Sequence, residues 1–223
     1  YLFYRFSPNQ NFVHDSVVNA FGASGLLEIN QRFNFNYAFQ ITSDKIKSSS
    51  LENGKFTSRD YYKIALLPEY LIARDQIESL ALKLGGSWDD TNRNKASFSP
   101  ICEIEKIIEF SKGNLDRSYF SYSEAVQFIG YGAIGGSQIS GLFRSNHDLS
   151  DEKSKNLEFG HQIKRSEWNL KVAVFYRWDN DLVDWAYVGR GARSAENMDM
   201  ETLGLEIFAA REWLSLIHIS EPT

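Results

Sequence analysis

One short run limits this chain more than any other stretch. Trp168, Leu170, Val172, Val174, Tyr176 and Trp178 alternate with Asn169, Lys171, Ala173, Phe175 and Arg177. A β-strand sends successive side chains to opposite faces, so the run forms a ribbon with one apolar side rimmed by aromatics. On a helix the same residues would scatter around the cylinder. Tryptophan at both ends with small aliphatics between is the order of a strand crossing a bilayer, where amphipathic rings sit at headgroup level. Neighbouring runs repeat the scheme, with Leu157, Phe159 and Ile163 in one and Leu203, Leu205, Ile207 and Ala209 in the other. Between them, Asp179-Asn-Asp-Leu-Val-Asp-Trp185 reads as polar and turn-prone.

The same period places about seven more strands upstream. Residues 1–6 and 16–23 give the first two. The third is the cleanest: Phe33, Phe35, Tyr37, Phe39 and Ile41 alternate with Asn34, Asn36, Ala38 and Gln40. Residues 59–72 form the fourth, in which Pro68 removes a ladder donor and predicts a bulge or a strand end. Two segments fit either period. Ile77, Leu80, Ala81 and Leu84 suit a helix, as do Ile101, Ile104, Ile107 and Ile108 after Pro100. Gly85-Gly86 is costly inside a helix, and the surrounding strand spacing assigns both to strands. The seventh strand falls at residues 114–124. Expected connections are long at 43–58, 89–96, 125–153 and 180–197 and short at 73–76, 111–113 and 165–167. Long loops at one end and tight turns at the other are the asymmetry of an outer-membrane barrel.

Composition closes off other classes. The net charge of -5 offers no basic footprint for nucleic acid. A single cysteine, Cys102, rules out an internal disulfide framework and a cysteine metal cluster. The longest apolar run, about five residues, is far short of the ~20 of a spanning helix. Gly130-Tyr-Gly-Ala-Ile-Gly135 fits G-x-G-x-x-G, but Gly136-Ser-Gln-Ile-Ser-Gly141 follows, which is poor material for the helix a dinucleotide needs. It reads as a flexible loop. Asp90-Thr-Asn-Arg-Asn94 begins like a calcium loop, yet Lys95 stands at the glycine position and Ile101 at that of the bidentate glutamate. Asp179, Asp181 and Asp184 read as a charged loop, and the four histidines lack ligand spacing. No catalytic residue, metal site or cofactor is predicted.

The order of phrases resembles the β-barrel of TonB-dependent outer-membrane receptors. They are Tyr119-Phe-Ser-Tyr-Ser-Glu124, a Gly-rich loop, Asn146-His-Asp-Leu-Ser-Asp-Glu-Lys153 and Asn156-Leu-Glu-Phe-Gly160, then Val172-Ala-Val-Phe-Tyr176, Asp181-Leu-Val-Asp-Trp185 and Gly204-Leu-Glu206. His147 and Ser150 stand in place of the family's usual prolines. The match covers roughly the last half of the chain by wording and the first half by strand spacing. It implies an all-β antiparallel meander of about ten strands, an incomplete section of a 22-stranded transmembrane barrel. Residues 1–214 would be barrel and 215–223 a non-native or read-through tail, the whole an internal section with its plug and TonB-binding box elsewhere.

The function this resemblance implies is energised uptake of a scarce solute, such as a ferric siderophore, cobalamin or an oligosaccharide, across a Gram-negative outer membrane. Expected partners are outer-membrane lipid, the small-molecule or metal-chelate ligand and, through the plug, the TonB complex. Ligand contacts are expected on the 125–153 loop at Tyr131, Gln138, Phe143, Arg144 and His147, because loops at the outer mouth meet ligand first. Asn156, Glu158 and Glu206 oppose apolar neighbours and should face the lumen, since a carboxylate on the lipid face is expensive. A passive porin or a soluble carbohydrate-binding β-sandwich would share parts of the pattern.

Overall fold

The computed structural model describes residues 13–52, 56–111, 113–187 and 191–212. The expected strand at 1–6, residues 53–55 of the expected 43–58 connection and the 215–223 tail with His218 lie outside the described residues. The elements are β1 (His14–Asn30), β2 (Phe33–Ser48), β3 (Ser58–Arg74), β4 (Glu78–Thr91), β5 (Ser97–Ser111) and β6 (Asn114–Gln127). They continue with α1 (Tyr131–Ile134), β7 (Phe143–Arg144), β8 (Glu152–Lys164), β9 (Trp168–Tyr187) and β10 (Arg193–Arg211). All strands form one sheet in the order β1-β2-β3-β4-β5-β6-β8-β9-β10-β7. Every long strand pairs antiparallel with its chain neighbour, and β7 adds a two-residue parallel bridge to the start of β10. No described helix is long and apolar enough to cross a membrane.

Register turns the alternating sequences into two continuous faces. Residues paired across strands share a face. On one face Phe33, Tyr70, Leu82, Ile104, Phe120, Phe159, Val174 and Leu205 are linked pair by pair from β2 to β10. On the other, the adjacent row runs Asn34, Glu69, Lys83, Glu103, Ser121, Glu158, Phe175 and Gly204. Among the described residues no second sheet or helix layer covers the apolar face, where Phe159 is 55% exposed and Leu205 63% exposed. A β-sandwich would bury such a stripe beneath a second sheet. The buried apolar side chains, Ile129, Ala133, Ile134, Ala192 and Ala195, gather at one end of the sheet instead.

Both helix-or-strand ambiguities resolve to strand, as β4 and β5. Three expectations change. Asp179–Trp185 is not a loop: β9 runs through it to Tyr187, and β10 starts ten positions before Leu203. Asp181 takes a left-handed conformation (φ 59) and the ladder slips between Met198 and Met200, so turn-prone residues make a bulge rather than a reversal. Pro68 sits inside β3 opposite Phe35, and only the ladder to β4 lapses there. The stretch after Gly130 is packed, with Ala133 to Gly136 buried, rather than a free loop. Connections are 49–57, 92–96, 128–151 and 188–192 at one end against 31–32, 75–77, 112–113 and 165–167 at the other. The asymmetry stands, with shorter loops than expected because the strands extend further.

Candidate functional site

The polar face carries a charge network at its centre. Lys83 on β4 reaches Glu103 on β5 at 2.9 Å, Glu105 at 3.5 Å and Glu69 on β3 at 3.7 Å. Arg117 on β6 pairs with Glu105 and approaches Glu103 at 3.8 Å. Strand period forces this convergence, because paired positions on alternate residues all point to one side. Asn156, Glu158 and Glu206 lie on this same polar face, and the network reaches Glu158 and Asn156 through Tyr119. Tyr119 donates its hydroxyl hydrogen to Glu158, while Asn156 Nδ2 donates to the same carboxylate at 3.3 Å. The Arg117 guanidinium lies 5.0 Å from the Tyr119 ring centre. Gly160 and Gly204 leave the space that the Tyr119 and Phe175 rings fill. Glu206 is exposed.

At the long-loop end, residues 128–151 fold back over the polar face as a strap. Apolar residues hold it down: Ile129, Ala133 and Ile134 pack with Ala195 of β10, flanked by Phe56, Leu149, Val183 and Trp185. Hydrogen bonds fasten both sides. Toward β2 and β3, Tyr131 donates to the Asp44 carboxylate and Arg59 Nη1 reaches the Ile129 carbonyl at 3.4 Å. The Glu52 N–H bonds the Gly135 carbonyl at 2.7 Å. Toward β10, Asn197 accepts from the Ser150 N–H at 2.9 Å and donates to the Ser150 carbonyl at 3.1 Å.

Asn94 donates to Asp151, whose carboxyl burial pushes up against the lowering effect of hydrogen bonds from Asn94 and the Ile129 N–H. Arg93 sits 4.8 Å from the Tyr131 ring centre and 5.4 Å from that of Phe56. Burial, and after it the Arg59 charge, lower the affinity of this guanidinium for its proton.

The five loop residues singled out by sequence do not form one group. Tyr131 and His147 come to the same side: the His147 ring is tilted against Phe56 with 5.6 Å between centres, and a cavity of about 40 Å³ lies among Phe56, Arg59, Arg93, Phe128 and His147. Phe143 and Arg144 belong to β7 on the other side, with Phe143 edge-on to Trp185 at 5.2 Å. Gln138 is exposed on the strap between them. Asp44, Arg59 and Arg93, which sequence reasoning missed, converge on Tyr131 from β2, β3 and the 92–96 connection. They lie tens of residues away, and no local pattern marks them. Among the described residues no group of His, Cys, Asp and Glu is arranged to hold a metal ion.

A single sheet with one apolar face, a charged opposite face and long loops at one end only has the architecture of a section of β-barrel wall. No family model matches the sequence, and no curated protein matches it. Solved structures match by fold. The siderophore receptor PirA from Pseudomonas aeruginosa aligns with a TM-score of 0.65 at 12% identity, covering 88% of this chain and 37% of that one. The copper transporter OprC aligns at 0.60 and 12% identity over 92% and 37%. The FrpB iron transporter from Neisseria meningitidis aligns at 0.56 and 13% identity over 89% and 34%. These are TonB-dependent outer-membrane receptors, and this chain has the fold of a section of their barrel, consistent with the 22 strands the resemblance implies. Such proteins are transport receptors rather than enzymes. The chain spans about a third of the length of the structures it matches.

Proposed function

We propose that this chain is part of the wall of a Gram-negative outer-membrane receptor that takes up a scarce solute against a gradient. Residues 1–214 would be barrel and 215–223 a non-native or read-through tail. The observation that carries this reading is the pair of adjacent rows from β2 to β10, one apolar throughout and the other, on the opposite face, mostly polar with Glu69, Lys83, Glu103 and Glu158 at its centre. Hydrocarbon on the first face and water on the second satisfies both without a second layer. The ligand, a ferric siderophore, cobalamin or an oligosaccharide, would first meet the long-loop end. Tyr131 and His147 with Arg59 and Arg93 would meet it on one side of the strap, Phe143 and Arg144 on the other, and Gln138 between. Asn156, Glu158 and Glu206 would line the lumen and face a plug through which the TonB complex delivers force. A passive porin has the same wall but needs no energy. Uptake of radiolabelled ligand by cells expressing the intact protein, with and without a protonophore, decides between them. Energised transport predicts that uptake collapses when the proton gradient is dissipated; unchanged uptake refutes it.

A further inference from the structure

Polar residues interrupt the apolar face near the turn end. In the row next to Ile104, Phe120 and Phe159, toward the short turns, the paired residues are Leu80, Lys106, Ser118, His161, Val172 and Ile207. The flanking strands stay aliphatic, while β5, β6 and β8 place an amine, a hydroxyl and an imidazole side by side. The next positions add Glu78 and Asp116. Lys106 Nζ meets Glu78 at 3.0 Å, and Arg165 Nη1 meets Asp116 at 2.8 Å from the β8–β9 turn. Ser118 Oγ and His161 Nδ1 lie 2.9 Å apart, leaving Nε2 as the ring's remaining polar atom. The Arg165 guanidinium lies over the Phe110 ring at 5.2 Å. Lys106 and Glu78 are both close to half exposed. Polar groups facing hydrocarbon cost free energy that falls toward the interface, so a cluster on three adjacent strands a few residues above the turns calls for a polar occupant.

We propose that this patch binds the headgroup of a zwitterionic phospholipid, phosphatidylethanolamine in chemistry, in the leaflet on the short-turn side. The inference rests on the membrane reading above. Two carboxylates and two cations alternate across the patch with no net charge, which matches a phosphate beside an ammonium and favours neither alone. Lys106, Arg165 and His161 Nε2 would take the phosphate; Glu78 and Asp116 would take the ammonium. Directly beyond, Ile104, Phe120 and Phe159 stand 40%, 45% and 55% exposed, an apolar track for the acyl chain.

The test is native mass spectrometry of the intact protein in detergent, titrated with phosphatidylethanolamine, phosphatidylglycerol or glycerophosphoethanolamine. Expected is a roughly fivefold preference for phosphatidylethanolamine over phosphatidylglycerol, lost in Lys106→Ala/His161→Phe and kept in Lys45→Ala at the opposite end of the same face. Equal retention of the two lipids, or a preference that survives the double substitution, overturns the proposal. So does equal affinity for the free headgroup. Protein that stays soluble without detergent and takes up neither lipid sinks the membrane reading itself, a separate result from equal uptake of both.

Discussion

The ring of Tyr119 lies across the backbone of Gly160, its directly paired neighbour on the next strand. Phe175 covers Gly204 in the same way on the following pair of strands. Each glycine belongs to a phrase the sequence singled out, and each phrase supplies half of a ring-on-backbone contact. The tip of the Tyr119 ring is also held by Glu158 and by the Arg117 guanidinium, so it is not free to swing.

Gly160→Ala should therefore destabilise the sheet by about 1–3 kcal/mol, the usual cost of overfilling a packed position. The added Cβ overlaps the ring and breaks its bond to Glu158. Tyr119→Ser in the same chain should recover most of the loss. Urea midpoints of the detergent-folded protein, read by the gel shift between folded and unfolded barrel, provide the check.

Lys83 is the only ammonium within 4 Å of Glu69, Glu103 and Glu105 among the described residues. Its side chain and those of the three glutamates are 11% to 25% exposed, between a surface pair and a buried one. Lys83→Met should cost roughly 1–3 kcal/mol, more than an exposed pair and less than a fully buried one. A cycle with Glu103→Gln should give non-additive losses; strict additivity would mean that the two do not interact.

At the β3–β4 turn, Asp75 accepts hydrogen bonds from the N–H groups of Ile77 and Glu78 at 2.8 and 2.9 Å. Those bonds, the Ile77 one first, hold its carboxyl below the ordinary carboxylate range. A carboxylate with a lowered folded value stabilises above its unfolded pKa of ~3.9, and that contribution fades as pH falls through the folded value. Wild type should exceed Asp75→Asn in stability at neutral pH, and the gap should close below about pH 4. Urea midpoints of both proteins across that range measure it.

The strap depends on its fastenings. Asn197→Ala removes both bonds to Ser150 and the one to the Asp181 carbonyl at 2.6 Å, and Tyr131→Phe removes the bond to Asp44. A nitroxide at Gln138, exposed on the strap, should show faster motion in either variant and fastest in both together. An unchanged spectrum in the double variant would mean that apolar packing alone positions the segment.

How much of this was legible varies with the range of the interaction. Alternation within a strand is local, so Phe33 to Ile41 and Trp168 to Trp178 declared their faces without a partner. Leu80 to Leu84 and Ile101 to Ile108 fitted two periods, and only pairing across strands decides between them. Asp179, Asn180 and Asp181 have turn chemistry, yet flanking strand length overrides it and leaves a bulge. The strap's landing place was illegible because Tyr131 and Asp44 lie 87 positions apart and meet only after the sheet has formed.

In the sheet, β2 and β10 are separated by six intervening strands, yet the strap touches both. It acts as a tie-rod across an arch: spreading of the wall at the loop end stretches its hydrogen bonds, whereas the turn end shows no such brace among the described residues. Traction applied inside the wall would therefore flare the unbraced end first and leave the mouth its shape.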